Sequence, residues 1–351
     1  MKDSKSKIGH NNKKLLLNKP VEHIDITSFD SRKIIDSMSK MSFASRDTAK
    51  AAEIYNEMLQ EKNCTIFLTL AGSTSAAGCM QIYSDLIKYN MVDTIIATGA
   101  SIIDMDFFEA LGFKHYQGSQ FQDDTKLREN YIDRIFDTYI DEDELQLCDK
   151  AICEIANNLP PKSYTSREFI HEIGKYLKKN SKKKNSLIEI AYDNNVPIFC
   201  PAFTDSSAGF GLVMHQEKNP KNHLTIDSVR EFRELTEIKI QSKNSGLFMI
   251  GGGVPKNFVQ DTVICAEMLG KETKMHKYAI QITTDSPQWG GLSGCTLEEA
   301  VSWGKIDTLG KRAVCYCDAT IALPLISHAL NERVTSRLQP SDMSWLFKAI
   351  L

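Results

Sequence analysis

Apolar positions along the chain recur at two different periods. From Ile34 to Leu59 they fall at helical spacing (Ile34, Ile35, Met38, Met41, then Ala51, Ala52, Tyr55, Met58 and Leu59), which predicts two amphipathic helices. Beyond them, short apolar runs alternate with amphipathic stretches. The runs predict strands at Thr65 to Ala71, Thr94 to Thr98, Pro197 to Phe203, Gly246 to Gly251, Tyr278 to Thr284 and Ala313 to Cys317. Helical segments such as Ala76 to Lys88, Phe258 to Leu269 and Ile321 to Leu330 separate them. Strand and helix in alternation imply an α/β fold: a doubly wound, mostly parallel sheet covered by helices on both faces.

The residues that follow these strands are small or polar: Gly72-Ser73-Thr74-Ser75, Thr98-Gly99-Ala100-Ser101, Thr204-Asp205-Ser206-Ser207, Gly251-Gly252-Gly253, Thr283-Thr284-Asp285 and Asp318-Ala319-Thr320. Ligands of open parallel sheets bind outside the carboxyl ends of the strands, so these tips are expected to converge on one crevice. Residues 119 to 190 interrupt the alternation with a charged, mostly helical pattern. Their acidic stretch (Asp141 to Glu144) and basic run (Lys178 to Lys184) read as solvated surface, because no aromatic residues interleave as a nucleic-acid site requires. The expected organisation is a flexible arm over 1–20, an N-terminal helical segment over 21–60, a main domain over 61–340 with the helical insertion at about 119–190, and a tail over 341–351.

Composition narrows the function classes. Hydrophobic content of 42% and charged content of 25% are those of an ordinary globular chain, which argues against wholesale disorder and against a membrane protein. The net charge of −3 supplies no field to hold nucleic acid or an anionic membrane, and suits a small cationic substrate better than a polyanion. Nine cysteines, an odd number without a CxxC pair, read as reduced thiols of a cytoplasmic protein. The first fourteen residues are polar and Lys/Asn-rich, and the apolar run Leu15 to Leu17 is too short for a signal-peptide core. Histidines are widely spaced and none sits in HxxxH, so no metal site is expected; no G-x-S-x-G elbow is present either.

Candidate chemistry gathers at the glycines and at one lysine. Gly72 and Gly78 flank small residues at a predicted helix start, which suits a phosphate cradle and equally suits a tight turn. Gly251-Gly252-Gly253-Val254-Pro255 follows a strand directly, where glycine permits either close approach of a ligand or close helix–strand packing. Further on, Thr296 and Glu299 form a T-x-x-E capping box for a short helix that Gly304 ends, so Lys305 emerges at a helix terminus. Beside Trp303 that lysine is either a partly buried nucleophile or a helix cap.

The segment Glu299-Ala300-Val301-Ser302-Trp303-Gly304-Lys305-Ile306 resembles the deoxyhypusine synthase family, in which the lysine of this stretch is the covalent nucleophile. The resemblance continues through Asn90-Met91-Val92-Asp93, Asn195-Val196-Pro197-Ile198-Phe199, Thr204-Asp205, Gly251-Gly252-Gly253-Val254 and Cys317-Asp318-Ala319, over roughly residues 60 to 335. It implies a Rossmann-like domain with bound NAD, in a homotetramer whose active sites lie at subunit interfaces. It also implies a transferase that moves the aminobutyl group of spermidine, through a lysine imine, to an acceptor amine. The acceptor would be a translation-factor lysine or putrescine, the latter giving homospermidine. An alternative is a catalytically silent NAD-binding subunit that activates a paralogue; an NAD-dependent deacylase or dehydrogenase is a more remote reading.

By position, the resemblance implies Lys305 as nucleophile and Glu299, Trp303, Asp104 and Asn257 as polyamine contacts. NAD would be lined by Ser73, Thr74, Ser75, Thr98, Gly99, Asp205, Gly252, Thr284, Asp318 and Ala319. Three positions depart from the eukaryotic members: Leu292 and Phe210 stand where those carry acids, and Asn257 where they carry histidine. Each lost acid removes a partner for an ammonium group. The loop Trp289-Gly290-Gly291-Leu292-Ser293-Gly294 is similar instead to prokaryotic deoxyhypusine-synthase-like proteins.

Overall fold

The computed structural model describes residues 13–331, 337 and 340–348. Six strands form the main sheet: β1 (Cys64–Leu70), β2 (Thr94–Ala97), β3 (Ile198–Phe199), β4 (Asn244–Ile250), β5 (His276–Thr283) and β6 (Ile306–Tyr316). Their spatial order is β6-β5-β4-β1-β2-β3 and every pairing is parallel. This is the 3-2-1-4-5-6 order of a Rossmann-like doubly wound sheet, whose order reverses between β1 and β4.

Alternation along the strands builds two cores. In β1, which is buried throughout, Ile66, Leu68 and Leu70 enter one core and Phe67 the other; in β4, Phe248 and Ile250 part from Leu247 and Met249 in the same way. Helices α1 (Ala44–Gln60), α2 (Met80–Lys88) and α6 (Ala319–Asn331) cover the first face. The second face is covered by α3 (Ser228–Gln241), α4 (Gly253–Met268) and α5 (Leu297–Ser302). Burial on both faces is why these strands read as continuous apolar runs.

All six expected strands are present, with two changes of length. β3 stops at Phe199, because the Cys200 amide is taken by the Ser166 hydroxyl (2.8 Å) and by Glu231 Oε1 (3.0 Å), which draws the chain off the ladder. β6 begins seven residues before Ala313, as an edge strand whose first half is partly exposed and so lacks an apolar run; Leu309 is 92% exposed.

Residues 119–190 hold helices such as Glu142–Asn157 and Ser166–Asn180, but also two strands, Ile132–Ile135 and Thr138–Asp141, that form an antiparallel sheet with Tyr116–Gln117 just before them. Its strands carry charges on a solvated face, and a hairpin at Phe136 (φ 53°) turns without glycine, so the period-two signal is masked. Residues 1–12 of the expected arm and 349–351 of the expected tail lie outside the described residues. The described part of the arm is docked: Lys13 Nζ pairs with Asp141 (2.5 Å) and Asp143 (2.8 Å), and Pro20 bridges to Tyr116.

Candidate active site

The sheet places its crevice where the strand order reverses. The segments after β1, β4, β5 and β6 surround a cavity of about 430 Å³. Gly72 (φ +78°) and Gly251 (φ +67°) turn the chain sharply there, in a region that disfavours side chains. Gly252 is required for a different reason: a Cβ on it would sit 2.4 Å from Ser293 Cα, so the loop after β5 can close over the turn only if residue 252 has no side chain. Helix α4 opens at Gly252 with no side-chain cap, leaving backbone N–H groups at the crevice as anion donors.

Of the residues expected around a dinucleotide, Thr74, Gly252, Thr284, Asp318 and Ala319 line this crevice. Ser73 and Ser75 lie in the irregular turn that follows Gly72, and the Ser75 hydroxyl is buried with no hydrogen-bond partner. Thr98, Gly99 and Asp205 belong to a neighbouring group: a Cβ on Gly99 would meet Ser206 Oγ at 2.5 Å, and Thr98 Oγ1 lies 2.9 Å from Ser101 Oγ. Ser101 donates to the Gly72 carbonyl (3.1 Å), tying that group to the crevice wall.

Asp104 stands with this neighbouring group, and no contact joins it to Lys305. It accepts the Ser207 amide at 2.7 Å. Burial pushes its carboxyl up to about 6, helped by the carboxylates of Asp149 and Asp205 and opposed by the Ser207 donors. A carboxyl with a raised folded value stabilises the fold below its unfolded value and loses that contribution as pH rises through the folded one. Asp104→Asn is therefore expected to gain on the order of 2 kcal/mol over wild type at pH 8 and little at pH 4, measured by urea unfolding at the two pH values.

The lysine site is built by a helix end. Helix α5 starts with the expected capping box, in which Glu299 accepts the Thr296 amide (2.5 Å) and Thr296 Oγ1 accepts the Glu299 amide (3.0 Å). It ends in a Schellman motif: the Lys305 amide donates to Ala300 O (3.0 Å), the Gly304 amide to Val301 O (3.0 Å), and Gly304 takes φ +71°. The Lys305 carbonyl then accepts the His276 amide of β5 (3.0 Å), so the nucleophile candidate is fixed by backbone bonds on both sides.

Lys305 is buried, and its Nζ meets two groups from α4: Asp261 Oδ1 at 2.7 Å and Asn257 Oδ1 at 3.0 Å. Asn257 and Asp261 lie one helical turn apart and are joined to each other, Asn257 Nδ2 donating to Asp261 Oδ2 at 2.7 Å. Trp303, exposed by two thirds, places its ring 5.3 Å from the same Nζ. Asn257 was expected near the substrate. Asp261 was not, although its spacing from Asn257 on the helix after the triple glycine is a readable signal. Glu299 is exposed and serves first as the capping residue.

Sequence reasoning also missed Lys256. This lysine is almost fully buried; its Nζ donates to Gln281 Oε1 (2.9 Å) and to the Cys295 carbonyl, and burial drives its ammonium down to about 8. Gln281 in turn donates to Gly251 O (2.9 Å) and Ser293 O (2.8 Å). The network holds the glycine turn and the loop after β5 together, and Asn257, next in sequence, carries the contact to Lys305. No cluster of metal-ligating side chains occurs among the described residues, and none of their helices is long and apolar enough to cross a membrane.

The chain is a Rossmann-like α/β protein with a crevice at its strand tips and a buried lysine at a helix end. The deoxyhypusine synthase family model matches residues 33–330. The chain is 62% identical over 339 residues to a deoxyhypusine synthase-like protein of Coxiella burnetii, covering 96% of each chain. It is 60% identical to the corresponding protein of Caulobacter vibrioides (91% of this chain, 88% of that one), and 43% identical to a probable deoxyhypusine synthase 2 of Methanosarcina acetivorans (90% and 91%). A solved structure provisionally named a deoxyhypusine synthase, from Entamoeba histolytica, shares the fold with a TM-score of 0.56 at 18% identity, over 88% of this chain and 96% of that one. The protein belongs to the deoxyhypusine synthase family.

Proposed function

We propose that the protein transfers the aminobutyl group of spermidine, or of a related polyamine, to an acceptor amine through a covalent imine on Lys305. The observation that carries this reading is the buried Lys305 amine, held at 2.7 Å by Asp261 and 3.0 Å by Asn257 beneath the exposed Trp303 ring. A lysine that merely capped a helix would need neither partner.

The crevice residues fit NAD. Glycine turns bring backbone close to a ligand, uncapped amides of α4 suit a pyrophosphate, and Asp285, Asp318 and the threonine hydroxyls suit ribose. NAD, when bound, would accept a hydride from the donor amine and return it at the end of the cycle. The chain's own residues do the rest. Lys305 Nζ attacks the electrophilic carbon of the oxidised donor, and as the C–N bond to diaminopropane breaks the leaving nitrogen takes the proton that Nζ gives up. The acceptor amine then attacks the lysine-bound imine carbon and releases Lys305. Asp261 and Asn257 fix Nζ for both attacks, and the Trp303 face bounds the path of a cationic chain. A homotetramer would place further groups of a second copy beside these.

Incubation with NAD and labelled spermidine, with either putrescine or the translation factor added, is expected to yield labelled homospermidine or a labelled factor lysine by mass spectrometry. Absence of both, with activity appearing only on mixing with a paralogue, would favour the silent-subunit reading. Asp261→Ala is expected to slow adduct formation by roughly 10- to 100-fold with NAD affinity unchanged. Single-turnover trapping and a binding titration check the two halves of that expectation.

A further inference from the structure

Cys64, Cys79, Cys148 and Cys200 are thiols closed into the interior. Cys315 and Cys317 are different. Cys315 is the last residue but one of β6, and Cys317 is the first residue beyond that strand. The Cys317 amide donates to the Cys315 carbonyl at 3.0 Å, a three-residue turn that draws the two Cα atoms together. Their sulfurs are 3.2 Å apart, and Thr48 Oγ1 of α1 lies 2.9 Å from Cys315 Sγ. Cys315 is closed off from solvent, whereas Cys317 is partly exposed and lines the crevice beside Asp318 and Ala319.

We propose that Cys315 and Cys317 are a reversible oxidation site, closing to a disulfide when hydrogen peroxide reaches the crevice rim. The geometry supplies the first need of a disulfide, two sulfurs already in contact at 3.2 Å. Hydrogen bonding between the thiols favours the reaction, since whichever sulfur accepts the bond is held below the ordinary thiol range, toward its thiolate, while its donor is pushed up. In the balanced sequence, the proton shared by the two sulfurs passes to Cys315, and the accessible Cys317 thiolate takes one oxygen from hydrogen peroxide to become a sulfenic acid, releasing the first water. Cys315 then attacks that sulfur, forming the S–S bond and releasing the oxygen as a second water. Two thiols lose two electrons and two protons; one peroxide is reduced to two waters.

The position gives the modification a consequence, which rests on the dinucleotide reading of the crevice. Asp318 follows Cys317 directly and caps α6, its Oδ1 accepting the Thr320 amide at 2.7 Å. Pulling Cys317 onto Cys315 rotates this turn, so oxidation is expected to weaken NAD binding by at least about tenfold.

The test treats the full-length protein with hydrogen peroxide, blocks remaining thiols with iodoacetamide, and examines the peptide that contains both cysteines. The expected product is lighter than the dithiol peptide by two hydrogens, carries no alkyl group on either sulfur, and reverts with dithiothreitol; Cys315→Ser forms none of it. Alkylation of both thiols after peroxide, or conversion of Cys317 to sulfinic acid without the disulfide, would overturn the proposal. An NAD titration of reduced and oxidised protein separates the consequence from the site. A disulfide without loss of affinity removes the regulatory effect. Failure of the reduced protein to bind NAD removes the dinucleotide reading while the peptide mass still decides the disulfide.

Discussion

Lys305→Ala is expected to lower aminobutyl transfer by at least about 10³-fold and to abolish any adduct that borohydride can trap. The loss follows from chemistry that no neighbour can replace. Lys256 is the nearest buried alternative, yet its amine is committed to Gln281 and the Cys295 carbonyl. The substitution leaves the local backbone intact, because the helix end is fixed by the Schellman bonds and by the His276 amide, neither of which uses the side chain. Asp261, with about a third of its side chain exposed, stays solvated when its partner is removed. NAD affinity and the unfolding midpoint are therefore expected to stay near wild type, and a fluorescence titration with a thermal melt checks both. Residual activity above a tenth of wild type would mean that Lys305 is a structural cap.

Asp93→Ala is expected to destabilise the protein by about 3–5 kcal/mol, the largest stability effect outside the apolar core. The carboxylate is fully enclosed and receives three elements at once. Arg337 Nη2 meets Oδ2 at 2.7 Å, the Ile66 amide of β1 donates at 2.6 Å, and the Ser341 amide donates to Oδ1 at 2.8 Å. Removing it leaves a buried guanidinium without its counter-charge, while the remaining bonds of Arg337 to Asn90 O and Cys64 O are to neutral carbonyls. Urea denaturation monitored by circular dichroism measures the change. A loss below about 1 kcal/mol would show that the C-terminal segment is not anchored through this residue.

The sheet was legible because β1 to β5 are buried on both faces and are followed by small or polar residues. The two cores of alternate residues in β1 and β4 are the same pattern seen from inside. β6 was only half legible, since an edge strand that carries Leu309 into solvent has no apolar run to detect. The antiparallel sheet of the insertion escaped for a similar reason, and its partner in space, the Lys13 segment, is more than a hundred residues away in the chain.

At the site, the capping box and Gly304 placed Lys305 correctly at a helix end, because capping is local in sequence. What surrounds its Nζ was not local. Asp261 and Lys256 come from α4, and their roles depend on how that helix packs against β5 and α5. The triple glycine shows the same limit. The sequence left ligand approach and close packing both open for Gly252; the structure shows the close packing, under Ser293, at a glycine that also lines the crevice.

Nothing separates a nucleophile from a helix cap more directly than the bond itself. Protein incubated with NAD and isotopically labelled spermidine, then reduced with borohydride and digested, is predicted to carry the label as a secondary amine on Lys305 alone. Label on another lysine, or a Lys305 peptide of unchanged mass with every polyamine tried, would contradict the account.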